Sequence, residues 1–311
     1  MNRRAAIRNL MVAGAVSVLS RPLKAIAPED QSGFVIRSDV RLVLLDVSVK
    51  DHDGGWVSGL SKDDFRVDEN GARQDITVFA NNDIPVTVGI LVDNSRSMTP
   101  KRAEVLSAAS TFIEESNSHD EIFVLNFNDT VRPGLPNGIL FSDDIEQLRY
   151  ALAKGFPEGR TALNDAIVDG LQQLQQGKRD KKALIVISDG GDNASAHHRR
   201  EMLDAVEGSL ATIYTIGLFD TDDPDRDPAI LKKLSRLTGG VTYFPEGADD
   251  LTQACKNIAK DIRTRYTVGY SPASNGGPLR RVRVRVSAPG RPGLVARTRL
   301  SYRYEQTSQN E

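Results

Sequence analysis

Val43, Leu45, Val47 and Val49 alternate with Leu44, Asp46, Ser48 and Lys50, a period of two that predicts a half-buried strand between Val40 and Val49. Asp53-Gly54 and Asn70-Gly71 are turn signals. The second lies between Phe65-Arg66-Val67 and Ile76-Thr77-Val78-Phe79, as a hairpin requires, so residues 34 to 80 read as antiparallel β. At Pro85 the pattern changes. Val86 to Val92 is a nearly continuous apolar run, the mark of a strand buried on both faces of a parallel sheet. Ala103, Leu106, Ala109, Phe112 and Ile113 then give one helical apolar face.

The alternation continues with a strand at Ile122 to Phe127, helices near Asp143 to Leu152 and Thr161 to Leu174, and a strand at Ala183 to Ile187. A helix at Arg200 to Val206, a strand at Ala211 to Leu218, a helix at Pro228 to Leu237, a short strand at Val241 to Phe244 and a helix at Leu251 to Ile262 complete it. Strand and helix in strict succession predict an α/β fold with a doubly wound, mostly parallel, Rossmann-like sheet. After Arg263 the period returns to two. Tyr266 to Tyr270, Val282 to Val286 and Val295 to Tyr304 are three strand candidates.

Neither terminal set of strands is sufficient alone, because a small sheet with one apolar face is marginal in water. The expectation is therefore one β-sandwich built from both ends, with the α/β domain inserted between them. The divisions are a signal peptide or N-terminal anchor at 1–27, a β segment at 34–82, the α/β domain at 84–263, a second β segment at 264–304 and a disordered tail at 305–311.

Composition agrees with an ordinary globular chain, 39% hydrophobic and 26% charged. The 40 Lys and Arg nearly cancel the 42 Asp and Glu, so no global field draws in nucleic acid or an anionic membrane. Any membrane contact is expected only through an uncleaved N-terminal segment. A single cysteine, Cys255, excludes an intrachain disulfide, and its apolar helical setting predicts an inert buried thiol. At the N-terminus Arg3, Arg4 and Arg8 precede the uncharged run Leu10 to Leu19, too short to span a bilayer as a helix but suited to a signal peptide. Export to the periplasm, the envelope or the medium is expected. Twin-arginine and general secretory routes both fit. Ala25-Ile26-Ala27 offers a cleavage pattern, but the following Pro28 leaves an uncleaved anchor open.

The candidate chemistry lies in three loops. Asp93-Asn94-Ser95-Arg96-Ser97-Met98 follows the first buried strand, Gly159-Arg160-Thr161 precedes a helix, and Ser188-Asp189-Gly190-Gly191-Asp192 follows the strand ending at Ile187. In an open α/β sheet ligands bind beyond the carboxyl ends of strands, where the strand order reverses. Hydroxyls and carboxylates converging there suit Mg²⁺ or Mn²⁺, hard cations that take oxygen donors and retain water. The plainer alternative is that Ser, Thr and Asp occupy these positions because helix starts and turns prefer them.

Asp93-x-Ser95-x-Ser97 with the distant Thr161 and Asp189 resembles the metal-ion-dependent adhesion site of the von Willebrand factor type A family. That resemblance implies that Asp93, Ser95, Ser97, Thr161 and Asp189 hold one Mg²⁺ or Mn²⁺, some directly and a carboxylate through water. It also implies a protein partner whose Glu or Asp carboxylate completes the shell. Position 96 is often glycine in the family, and Arg96 places a cation at the rim instead. From Val40 to Tyr304 the chain is further similar to a bacterial exported subfamily, through Gly59-Leu60-Ser61-Lys62-Asp63-Asp64-Phe65, Leu237-Thr238-Gly239-Gly240 and Arg265-Tyr266-Thr267-Val268-Gly269-Tyr270 among others.

The expected function is a metal-dependent adhesion or scaffolding module and not an enzyme, since no general base or nucleophile stands apart from the metal ligands. A structural envelope protein with a purely stabilising metal and a metal-dependent hydrolase are the alternatives. Four histidines, His52, His119, His197 and His198, fall in predicted loops without a ligand pattern. Arg281, Arg283, Arg285, Arg297, Arg299 and Arg303 read as a solvated face that protects sheet edges, with an anion- or polysaccharide-binding face as the alternative. Asp220 to Asp227 reads as a solvated acidic loop, with a Ca²⁺ site as the alternative.

Overall fold

The computed structural model describes residues 42–219, 225–273 and 277–304. The predicted signal segment, the tail at 305–311 and most of the acidic stretch at 220–224 lie outside the described residues. The chain begins with β1 (Val43–Lys50), β2 (Phe65–Glu69), β3 (Ala72–Gln74) and β4 (Ile76–Ala80). The α/β layer follows as β5 (Val86–Asp93), α1 (Arg102–Glu114), β6 (Glu121–Phe127), β7 (Val131–Pro133), α2 (Ile145–Ala153), α3 (Leu163–Gln176) and β8 (Lys181–Ser188). It continues through α4 (Arg199–Gly208), β9 (Thr212–Gly217), α5 (Pro228–Thr238), β10 (Thr242–Tyr243) and α6 (Ala248–Arg263). The last strands are β11 (Tyr266–Tyr270), β12 (Leu279–Val286), β13 (Val295–Arg297) and β14 (Ser301–Arg303).

The central sheet runs β10-β9-β8-β5-β6-β7, parallel except for β7. Every residue of β5 is buried, which explains its nearly continuous apolar sequence: the strand lies mid-sheet with helices on both faces. The helices pack in two sets, α6 with α1 and α2, and α3 with α4 and α5. Strand β7 was not legible in the hydrophobic pattern. It is a three-residue edge strand ending in Pro133, and short, proline-marked strands are confined to edges.

Local sequence fixes the helix ends. Asp227 caps α5 by accepting hydrogen bonds from the backbone N–H groups of Ala229 and Ile230 at 3.1 and 3.0 Å, with Pro228 in the first turn. Gly239 ends it with a left-handed φ of 79°.

The terminal strands form two antiparallel sheets, β13-β1-β11-β4 and β14-β12-β2-β3, and each draws strands from both ends of the chain. Between the sheets lies a second core containing Leu45, Val47, Phe65, Val67, Val268 and Val284. The register of β1 on β11 runs from Val43↔Tyr270 to Val47↔Tyr266. Two expectations need correction. Asn70-Gly71 does turn a hairpin, but the partner of β2 is β3, and after Asp75 the chain crosses to the other sheet, where β4 pairs with β11. Val295 to Tyr304 is not one strand: β13 pairs with β1 and β14 with β12, because each sheet needs one more strand at its edge.

The two layers meet at Asp261, a buried carboxylate on α6. Its Oδ1 accepts from Ser48 Oγ at 2.6 Å, Trp56 Nε1 at 3.0 Å and Arg297 Nη2 at 3.0 Å. Its Oδ2 accepts from Tyr214 Oη and Arg265 Nη2, both at 2.8 Å. One side chain thereby ties β9 and α6 of the α/β layer to β1 and β13 of the sandwich.

Candidate metal centre

Strand β5 delivers Asp93 to the carboxyl edge of the sheet, next to the end of β8, where the path out to β6 and the return to β8 part company. Asp93 Oδ1 accepts the backbone N–H of Ser95 at 2.8 Å, closing a tight turn. Its Oδ2 accepts the Ser188 hydroxyl at 2.6 Å. The hydroxyls of Ser95 and Ser97 lie 3.1 Å apart, and Ser97 Oγ donates to Asp189 Oδ2 at 2.5 Å. Asp189 Oδ1 in turn accepts the N–H of Gly191 at 2.9 Å. Gly190 permits this loop: its φ is 86°, and a Cβ there would sit 2.4 Å from the carbonyl oxygen of Asp227.

Thr161 joins through its backbone. Its N–H donates to Asn193 Oδ1 at 2.9 Å, and its carbonyl accepts from the N–H groups of Asn193 and Ala194 at 2.9 and 3.0 Å. The loop before α3 is thus clamped to the loop after β8. Arg96 N–H donates to Gly159 O at 3.4 Å, which brings the first loop against the same segment. Asp93, Ser95, Thr161 and Asp189 are buried and Ser97 is half-buried, while Arg96 stands exposed at the rim.

Burial, reinforced by the nearby charge of Asp189, raises the Asp93 carboxyl to about 7. Two carboxylates facing one another in a desolvated recess favour added positive charge, and the surrounding donors are hydroxyl oxygens. The donor set therefore fits a hard divalent cation. Among the described residues no cluster of three or more His, Cys, Asp or Glu side chains that could hold a metal ion forms.

The profile of the von Willebrand factor type A domain matches residues 87–257. The chain belongs to that family. The matched span covers the central sheet from β5 to most of α6, and domains of the von Willebrand type A family generally mediate protein–protein interaction. An uncharacterised protein of Synechocystis sp. is 24% identical over 176 residues, which are 54% of this chain and 40% of the relative, so the chain spans well under half of that relative's length. A von Willebrand factor type A structure from Catenulispora acidiphila shares the fold at TM-score 0.51, with 15% identity over 77% of this chain and 73% of that one. An aerotolerance-related membrane protein from Bacteroides fragilis, crystallised with multiple mutations to serines, aligns at TM-score 0.45 and 17% identity over 57% of this chain and 98% of that one.

Two residues that support the type A loops were not singled out from sequence. Ser188 is the last residue of a buried strand and looks like packing until its hydroxyl is found on Asp93. Asn193 lies in a polar loop, and only its double hydrogen bonding to Thr161 separates it from its neighbours. The four histidines lie outside helices and strands, as expected; His197 Nδ1 lies 2.7 Å from Asp165 Oδ1, a contact that orients the loop before α4.

Proposed function

We propose that this protein is an exported, non-catalytic binding module that uses one Mg²⁺ or Mn²⁺ to hold an acidic residue of a partner protein. The observation that carries the reading is the chain of contacts from Asp93 through Ser188 and Ser95 and from Ser97 to Asp189, which gathers oxygen donors from separate loops at one sheet edge. Asp93, Ser95, Ser97, Thr161 and Asp189 would hold the ion. A cation so bound supplies a Lewis-acidic position that a Glu or Asp carboxylate can occupy.

The chain's own residues do the rest. Ser188 and the Ser95 amide fix the Asp93 carboxylate, Asn193 fixes Thr161, and Gly191 fixes Asp189. Arg96 at the rim attracts an incoming anion, and Phe156, 83% exposed on the loop whose Glu158 N–H donates to Asn94 O, offers an apolar contact. Export rests on Arg3, Arg4 and Arg8 ahead of the Leu10 to Leu19 run, and it suits a surface adhesion or scaffolding role.

The test is a pull-down from envelope extracts with Mg²⁺ or with chelator, comparing the parent with Asp93→Ala and Thr161→Ala. Capture should require the metal and be lost in both variants. A partner retained in chelator by both variants would refute the proposal.

A further inference from the structure

A groove of about 950 Å³ separates α5 and β10 from β12 and β13. Its charged lining residues are Lys232, Arg236, Arg283, Arg285, Arg297 and Arg299, all basic, with no Asp or Glu among them. In a chain of net charge -2 this is a local concentration of one sign. Arg285 is neutralised by Asp68 and Arg297 by Asp261. Lys232, Arg236 and Arg283 are exposed and have no carboxylate within ion-pair reach among the described residues.

Arg299 sets this groove apart from an ordinary solvated face. It is 5% exposed, its Nη2 donates to the carbonyl of Ser209, and its Nη1 is buried with no hydrogen-bond partner. The neighbouring Thr298 Oγ1 is likewise buried and unpartnered. Protection of a sheet edge accounts for exposed arginines alternating with valines along β12, but not for a guanidinium taken out of water with no direct ion pair and only the Coulombic pull of Asp46 to offset its charge. Its charge adds to the positive field of the groove beside the exposed Lys232, Arg236 and Arg283.

The backbone adds a second requirement. Val282 donates its N–H to Leu300 O at 2.8 Å, on the side of β12 where β14 pairs with Leu279, Arg280 and Arg281. By the two-residue period of a strand the amides of Val284 and Val286 face the same way, and among the described residues no strand pairs with them there. Strand β13, bonded to β1 on one edge, leaves its other edge free. Open strand edges beside an unpaired set of cations match an extended peptide better than a polysaccharide, which has no amide ladder to offer.

We propose that this groove binds an extended acidic peptide of a partner protein, added as a strand along Val284 to Val286 with its Glu or Asp side chains on Lys232, Arg236 and Arg283. The site is built from α5 and the C-terminal strands and includes none of the five metal-centre residues, so it operates without metal.

Fluorescence anisotropy on the full chain tests this with a labelled peptide of four Glu-Thr repeats. It should bind, while a Lys-Thr peptide of the same length should not. A Glu-Pro peptide of equal charge, which lacks alternate N–H donors, should bind about tenfold more weakly or worse. Arg236→Ser with Arg283→Ser, both at exposed positions, should weaken the Glu-Thr peptide by about tenfold or more. Chelator and Asp93→Ala should change its affinity by less than roughly twofold, which separates this site from the metal centre. Equal binding of the Glu-Pro and Glu-Thr peptides, insensitivity to the two arginine substitutions, or binding of a heparin fragment without binding of the Glu-Thr peptide would each overturn the proposal.

Discussion

Ser97 donates its hydroxyl proton to Asp189 across a separation of 92 residues, at 2.5 Å. That bond closes the first and third loops of the candidate metal centre on one another. It also places the Asp189 charge close enough to Asp93 to disfavour a second anion. The recess therefore carries a built-in electrostatic cost that a divalent cation would relieve.

Mg²⁺ or Mn²⁺ should accordingly raise the thermal midpoint. Linkage gives roughly 2.7 kcal/mol when the free ion is at about a hundred times its dissociation constant. In Asp93→Ala, differential scanning calorimetry should find no ion-dependent shift. Calorimetric titration of the parent that detected no uptake of either ion would remove the metal from the proposed function.

Asp261 gathers buried hydrogen bonds and ion pairs from both layers. Replacing it with Ala strands Arg265, which is buried, and should cost roughly 3–5 kcal/mol by urea denaturation. A loss below about 1 kcal/mol would mean the network contributes little beyond packing.

The same residue sets an acid limit. Burial alone would raise the Asp261 carboxyl, but the guanidiniums of Arg265 and Arg297 and the Ser48 hydroxyl outweigh it and hold it well below the usual carboxylate range. The unfolded chain therefore binds this proton more readily than the folded one. Stability from Asp261 is present above the ordinary carboxylate pKa and is lost as pH falls toward the depressed folded value, below about pH 4. Thermal melting between about pH 6 and 2 should show a shallower acid slope in Asp261→Asn than in the parent.

Removing residues 264 to 304 deletes β11 and β12, the partners of β1 and β2. Limited proteolysis should then cut within residues 42–80 while a core matching β5 to α6 persists. Protection of the N-terminal strands in the truncated chain would show that they hold together without the C-terminal partners.

Cys255 lies buried on α6, and burial alone pushes its thiol up to about 12. Alkylation under native conditions should proceed only as fast as the protein opens, and urea should restore the rate of a free thiol.

Much of this was legible in the chain itself. The nearly continuous apolar run Val86 to Val92 requires burial on two faces, and the strand-helix succession admits few topologies, so the parallel strands of the central sheet, though not its edge strand β7, followed from periodicity. Asp93, Ser95 and Ser97 were legible because they share one short loop at a strand end. What periodicity does not encode is pairing between distant segments. The crossing at Asp75, which sends β4 to β11, and the division of Val295 to Tyr304 between two sheets were decided by which edges lay open once both ends of the chain met. The contacts of Ser188, Asn193 and Asp261 were decided the same way. A polar residue in a strand, loop or helix has the same local signature whether it faces water or a partner brought beside it by the fold, and only the assembled structure tells which.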